Sequence, residues 1–172
     1  MATIKILKSH FPHNGKIEWI GLRKKTSREI TTVHTAELLI NHGIAGDKSA
    51  LKPGSKRQVT LIQAEYLPVM ESFLQKKILP EQLRRNIVVS GINLSILLKQ
   101  QLLINDTVLE ITGNCAPCKK MEEVLGLGAF NMMRNHGGVN AIVRAGGVIN
   151  IGDEVKVSVE ETNTKSIQPM LL

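Results

Sequence analysis

Short segments of β-type residues, each followed by a turn signal, recur along most of this sequence and set the strongest limit on its fold. Clusters of Asn, Asp, Gly and Pro separate the segments, as at residues 12–15, 105–106 and 146–147. The predicted strands are residues 4–9, 16–22, 29–39, 58–62, 86–89, 101–104, 108–112, 140–144 and 155–159. This pattern predicts a mainly β (α+β) fold in which the strands form a barrel-like sheet.

Helices are predicted in only three places, at residues 68–77, 119–125 and 130–135. In the first, Val69, Phe73 and Leu74 recur at helical spacing and form the predicted apolar face. Pro68 suits the first turn of that helix, since a proline lacks only an N–H that has no partner there. The fold class is therefore a barrel with a few short helices.

No linker, repeat or low-complexity stretch divides the 172 residues, so we expect a single domain over residues 1–172 with a flexible tail at 160–172. Lys5 and Lys8 interrupt the apolar residues at the start, which argues against a secretion signal. No apolar run is long enough to cross a bilayer. Two cysteines three positions apart cannot join distant parts of the chain, which favours a reduced compartment. We expect a cytoplasmic protein with no membrane partner.

The charge of the chain favours an anionic ligand. Lys and Arg number 22 against 15 Asp and Glu, which gives a net charge of +7. Phosphates, nucleic acid or an oxyanion cofactor would suit this balance, and so would an ordinary basic surface. Aromatic residues make up only 3% of the chain. Proteins that bind single strands stack bases on aromatic side chains, so the composition argues against nucleic acid.

The segment Cys115-Ala116-Pro117-Cys118 lies between a predicted strand and a predicted helix. A helix N-terminus and the following Lys119 and Lys120 favour the thiolate form of Cys118. Cys118 is therefore a candidate nucleophile, persulfide carrier or soft-metal ligand. A pair of buried, inert thiols and a dithiol redox centre remain open as alternatives. Structural zinc would need two more ligands, and only His136 is available.

Basic and glycine-rich segments supply candidate anion-binding groups. Two basic tripeptides open predicted strands, Lys56-Arg57-Gln58 and Arg84-Arg85-Asn86. Arginine presents a planar fork that suits phosphate or carboxylate, although some of these side chains will face solvent. The turn Gly46-Asp47-Lys48 and the run Asn135-His136-Gly137-Gly138 expose backbone N–H groups in the same way, or are ordinary surface loops.

Taken together, these segments resemble the MOSC family, the domain named after the C-terminal part of molybdenum cofactor sulfurase. The resemblance runs from about residue 46 to residue 157 and is closest to the small stand-alone bacterial branch. It rests on Gly46-Asp47-Lys48, residues 56–65, residues 83–94, residues 115–122, His136-Gly137-Gly138-Val139 and residues 146–153. One departure is that relatives often read Gly-Asp-Arg-His where this chain has Gly46-Asp47-Lys48-Ser49.

The resemblance implies a MOSC-type β-barrel with a basic pocket that binds the molybdenum cofactor, a pterin carrying a phosphate and a dithiolene-bound metal. The matching cysteine is Cys118, which would be the catalytic residue and the metal ligand. The implied cofactor-binding residues are Arg57, Gln58, Arg85, Asn86, Lys48 and Gly138.

Two activities follow from the resemblance. In one, Cys118 ligates molybdenum and a small N-hydroxylated compound is reduced; in the other, Cys118 carries sulfur as a persulfide. Either activity requires an external electron or sulfur donor protein, because no pyridoxal phosphate, flavin or iron–sulfur domain fits in this length. A non-catalytic module that binds a pterin or another anion, or carries sulfur, is the alternative, so the resemblance leaves open whether the protein is an enzyme.

Overall fold

The computed structural model describes residues 3–26 and 29–158. The strands within this part of the chain are β1 (Gly15–Arg23), β2 (Ile30–Val33), β3 (Thr35–Leu39), β4 (Gly43–Ile44), β5 (Val59–Gln63), β6 (Ile87–Ser90), β7 (Gln101–Ile104), β8 (Thr107–Asn114), β9 (Val139–Ala145), β10 (Gly147–Asn150) and β11 (Glu154–Ser158). The α-helices are α1 (Ile4–Leu7), α2 (Tyr66–Leu74), α3 (Lys119–Leu125) and α4 (Ala129–Met132), and short 3-10 helices cover Lys48–Leu51, Pro80–Leu83 and Leu94–Ile96.

Seven strands close into a barrel. They are hydrogen-bonded in the order β11, β7, β8, β9, β5, β6, β1, and the ring closes because β1 also pairs with β11. Gly15 lies opposite Val155 at this closure. Only the pair β5 and β6 is parallel, with Leu61 opposite Ile87. A parallel pair needs a crossover connection, which here contains α2. The predicted barrel with a few short helices is confirmed.

Alternation along the strands divides the apolar residues between two cores. Leu61 and Ile87 point into the barrel and belong to its core. Their neighbours Ile62 and Val88 point outward and pack with Met70 and the other buried residues of α2, α3 and α4. Successive side chains of a strand face opposite sides, so β5 is buried at all its positions. The continuous apolar character of this strand follows from its place between the two cores.

A second, three-stranded sheet has the order β10, β3, β4. The strand predicted at residues 29–39 is in fact two strands, with His34 between them. β2 pairs with β1 of the barrel, and β3 belongs to this second sheet. Residues 147–150, next to the predicted glycine turn, form a strand that the sequence analysis missed.

Two further predictions are wrong in detail. Residues 4–9 do not form a strand; residues 4–7 are helical, and the side chain of Thr3 caps α1 by accepting from the N–H of Ile6. In α2 only part of the predicted face is buried. Leu74 packs against the second core, but Val69 and Phe73 are exposed, and Met70 is buried there next to Ile78 and Leu83.

None of the helices in the described residues is long and apolar enough to cross a membrane. The predicted tail at residues 160–172 lies outside the described residues.

Candidate functional site

A cavity of about 710 Å³ opens where several strands of the barrel begin or end. Its lining comes from Arg23, Lys25, Lys48, Ser49, Leu51, Lys52, Arg57, Thr60, Arg84, Arg85, Cys115, Ala116, Cys118 and Met121. Seven of these residues are Lys or Arg, and none is Asp or Glu. The positive charge and the thiols lie together, so the cavity suits an anion that also bears a soft, thiol-binding centre.

Cys118 and Cys115 differ in exposure. Cys118 is exposed at the N-cap of α3, whereas Cys115 is buried. Nη2 of Arg57 lies 3.8 Å from Sγ of Cys115 and donates to it. Cys118 is therefore the thiol that a large ligand or another protein can reach. Cys115 faces the same cavity from a protected position.

The segment from Cys115 to Cys118, called here the cysteine loop, contains no turn. Both thiols are free in this structure, and the backbone of Cys118 is extended (φ −130°, ψ 168°). The dithiol redox centre stays an alternative.

Arg85 holds the cysteine loop through hydrogen bonds to main-chain carbonyls. Its guanidinium donates from Nε to the carbonyl of Gly137 (2.6 Å), from Nη1 to that of Leu83 (3.1 Å) and from Nη2 to that of Cys115 (3.2 Å). Burial lowers the pKa of Arg85 from its ordinary value, and the neighbouring cysteines oppose that shift. Because Nε, Nη1 and Nη2 of Arg85 all donate to main-chain oxygens, its role here is to fix the cysteine loop beside the cavity.

Gly138 lets two main-chain segments come close together. Its φ is +86°, and a Cβ at this position would lie 2.0 Å from the carbonyl oxygen of Leu61. The carbonyl of Gly138 accepts from the N–H of Cys115 at 2.8 Å. A side chain at this position would push the cysteine loop away from β5, which explains a glycine here without any ligand.

Arg23, at the end of β1, is held by Asp47 and Asn86, and we call these three residues the Arg23 network. Its Nε and Nη2 lie 3.1 and 2.8 Å from the two carboxylate oxygens of Asp47. Nη2 also donates to Oδ1 of Asn86 at 2.9 Å. Burial alone would raise the pKa of Asp47, but the hydrogen bonds and charge of Arg23 hold that pKa at about 2. Asp47 is therefore a fixed negative charge at neutral pH.

Two other predicted site residues are buried and hydrogen-bonded within the protein. Oε1 of Gln58 accepts from the N–H of Val143 at 2.9 Å. Nδ2 of Asn86 donates to the carbonyl of Gly21 and to Asp47, and its Oδ1 accepts from Thr60. Neither Gln58 nor Asn86 is part of the cavity lining. Their roles as direct ligand contacts remain predictions that this geometry does not favour.

Lys48 is an exposed cation of the lining, on the 3-10 helix that follows Asp47. Partial burial lowers its pKa, and the positive charges of Arg84 and Arg23 lower it further. Cations that repel one another in this way gain from an anion placed between them. The next residue, Ser49, donates from its N–H to Asp47 at 2.9 Å and so stabilises the Arg23 network.

The structure adds three cations that the sequence analysis did not propose, namely Arg23, Lys25 and Lys52. The basic tripeptides identified in the sequence lie where strands begin. Arg23 instead ends β1 and Lys25 follows that strand, in the basic run Arg23-Lys24-Lys25. Lys52 lines the cavity together with Lys48, Ser49 and Leu51 of the 3-10 helix that precedes it.

Comparisons with known proteins agree with the fold. The model of the MOSC domain matches residues 42–156. The YUAD protein from Bacillus subtilis is similar in structure, with a TM-score of 0.74 and 21% identity, over 84% of this chain and 96% of that one. No curated protein matches the sequence.

Two structures of YiiM are also similar, each at 16% identity. For YiiM from Escherichia coli the TM-score is 0.64, over 86% of this chain and 71% of that one. For YiiM from Geobacillus stearothermophilus it is 0.67, over 87% of this chain and 77% of that one. At such identities these structures establish the barrel fold and carry no further conclusion.

Proposed function

This chain belongs to the MOSC domain family, and we propose that its basic cavity binds an anionic pterin of the molybdenum-cofactor type, with Cys118 as the sulfur ligand. One observation carries the proposal. A single cavity of about 710 Å³ brings seven Lys and Arg side chains together with an exposed thiol and has no Asp or Glu in its lining.

The residues present fit such a cofactor. Its phosphate needs guanidinium or ammonium donors, and Arg23, Lys48 and Arg57 face the cavity. Its metal needs a soft ligand, and thiolate sulfur is one. When bound, the molybdenum centre would supply two-electron redox chemistry.

The chain's own residues would prepare the site. The lysines and arginines of the lining attract the anion and fix its charged end. Cys118, at the N-cap of α3, presents its sulfur from a segment that Arg85 ties to the barrel. Met121 and Leu51 add apolar surface to the lining.

The reaction proposed for the loaded protein is the reduction of a small N-hydroxylated compound. An N–OH group, two electrons and two protons give an N–H group and water. The electrons come from an external donor protein. The exposure of Cys118 also suits the second activity. In that activity the thiolate of Cys118 takes the outer sulfur from a persulfide of a donor protein, the donor's thiolate leaves, and the sulfur is then passed on.

The cytoplasmic location remains a prediction.

Metal and pterin analysis tests the proposal. The protein is purified from a host that makes the molybdenum cofactor, and molybdenum and pterin are measured per chain. We expect stoichiometric amounts of both in the wild type and in Cys115→Ala, and loss of molybdenum in Cys118→Ala. The two variants are matched, since each removes one thiol from the same cavity.

Other results would redirect or end the proposal. Persulfide on Cys118 of metal-free protein would assign the sulfur-carrier activity. Tight pterin binding that is unchanged by alkylation of Cys118 would assign the non-catalytic alternative. The absence of both pterin and molybdenum from the wild-type protein would refute cofactor binding.

A further inference from the structure

Arg23 is oriented by side chains that no ligand can reach. The guanidinium is largely covered, with 14% of the side chain exposed, and the Asp47 side chain is fully buried. The bonds to Asp47 and Asn86 occupy Nε and Nη2. Within the described part of the chain, these bonds leave Nη1 for a ligand in the cavity that Arg23 lines.

Asp47 has no capacity left for any other group. Its carboxylate accepts from the N–H, Nε and Nη2 of Arg23, from the N–H and Oγ of Ser49, and from Nδ2 of Asn86. A carboxylate has about four lone-pair sites, and six donors surround this one. Asp47 can therefore influence an anion in the cavity only through its own charge or through the position of Arg23.

Asn86 completes the arrangement from the other side. It is fully buried, and its Oδ1 accepts from Thr60 as well as from Arg23. Its Nδ2 is tied to the carbonyl of Gly21 and to Asp47. The amide thus cannot rotate without losing several buried hydrogen bonds.

We propose that Arg23 is the principal oxyanion-binding residue of the cavity, and that Asp47 and Asn86 are positioning residues that hold its guanidinium toward the ligand. The cavity then selects a tetrahedral oxyanion such as a phosphate group by the direction of fixed N–H donors, in addition to its positive charge. The oriented Nη1 group of Arg23 loses less conformational freedom on binding than a mobile lysine does. This inference rests on the proposed function only in requiring that an anion enters the cavity.

The variant Asp47→Asn distinguishes the orientation of Arg23 from the overall charge of the cavity, because the two would change phosphate affinity in opposite directions. Removing a negative charge beside the cavity raises the positive potential inside it, so a site governed by charge alone would bind phosphate more tightly. An asparagine offers only one acceptor oxygen, and its NH₂ group faces donors, so Arg23 would be released from its orientation. We expect the affinity of Asp47→Asn for inorganic phosphate, measured by calorimetry at constant ionic strength, to fall about tenfold.

A double-mutant cycle tests whether Asp47 acts through Arg23. Arg23→Lys keeps the charge and removes the fork, and we expect about a tenfold loss of phosphate affinity. In Arg23→Lys/Asp47→Asn the second substitution should cause no further loss. Lys52→Met is the matched control, because it removes a cation from the lining that lies outside the Arg23 network, and it should cost about threefold or less.

The outcomes are distinct. Tighter phosphate binding by a folded Asp47→Asn, additive losses in the double variant, or a loss in Arg23→Lys no larger than that in Lys52→Met would each overturn the inference. Should Asp47→Asn not fold, the comparison of Arg23→Lys with Lys52→Met still decides. Wild-type protein that binds no phosphate would overturn this inference and remove the anion site from the proposed function. Wild-type binding with the wrong pattern among the variants would leave the proposed function standing.

Discussion

Two arginines border the same cavity and are fixed by different kinds of partner. Arg23 is held by the side chains of Asp47 and Asn86, whereas Arg85 is held by main-chain carbonyls of Leu83, Cys115 and Gly137. A side-chain network depends on the ionisation of its carboxylate, and therefore on pH. A main-chain arrangement depends on the course of the loop, and therefore on the glycines that permit it. We therefore expect low pH to disrupt the Arg23 network and glycine substitutions to disrupt the loop that Arg85 holds.

The largest expected effect on stability comes from displacing the cysteine loop that Arg85 holds. Gly138→Ala would place a Cβ 2.0 Å from the carbonyl oxygen of Leu61, at a φ of +86°. We expect a loss of about 3 kcal/mol in the free energy of unfolding, since overpacking and backbone strain add. Denaturant unfolding at neutral pH measures it.

Gly152→Ala is the control for this prediction. Gly152 has a φ of +96°, but a Cβ there meets nothing within 4 Å. It should cost about 1 kcal/mol, which is the backbone contribution alone. Equal losses in the two variants would show that the close approach to Leu61 is not what fixes the loop.

Low pH should weaken the Arg23 network, because it protonates Asp47. The pKa of this carboxyl falls from 3.8 to about 2 on folding, so the folded state gains stability above the unfolded pKa and loses it as pH falls. The contribution is about 2 kcal/mol at neutral pH, and it disappears between about pH 5 and pH 2.

Unfolding free energies measured along this pH range test the assignment. Between about pH 5 and pH 2, the change in unfolding free energy should be about 2 kcal/mol smaller in Asp47→Asn than in the wild type. Gly138→Ala should keep the full pH dependence of the wild type. A wild-type slope that survives in Asp47→Asn would place the titrating group elsewhere.

The smallest effects sharpen the contrast between the two thiols. Cys115 is 3% exposed and packed at the base of the loop, so Cys115→Ala should cost about 1 kcal/mol of unfolding free energy. Cys118 is exposed, and Cys118→Ala should change it by less than about 0.5 kcal/mol. Thermal unfolding of both variants checks this. A larger loss for Cys118 would make that residue structural and weaken its proposed role.

The sequence was sufficient for the barrel because strand signals are local and repeat along the chain. The strand at Gln101–Ile104 and the helix at Lys119–Leu125 lie where they were predicted. Residues 4–9 carry the same local signal but pair with no strand among the described residues, and residues 4–7 form a short helix instead. Pairing is a long-range property that a pattern of apolar residues does not contain.

The candidate site shows the same limit. Cys118, Arg57, Arg85 and Lys48 were proposed from motifs and do line one cavity. Arg23 was missed because its partner Asp47 is distant in sequence and only folding brings them together. Asn86 was proposed from the same motif as Arg85, and both side chains are buried, but Asn86 holds Arg23 whereas Arg85 holds the cysteine loop.

The closure of the barrel between β1 and β11 has a consequence for synthesis on the ribosome. Gly15 is synthesised before its partner Val155, which lies 140 positions further along the chain. At about 5–20 residues per second, the first strand waits on the order of ten seconds for that neighbour. During this interval one edge of the growing sheet stays open to other chains. Slow or interrupted translation should therefore reduce the yield of native protein more than a destabilising change inside the cavity does.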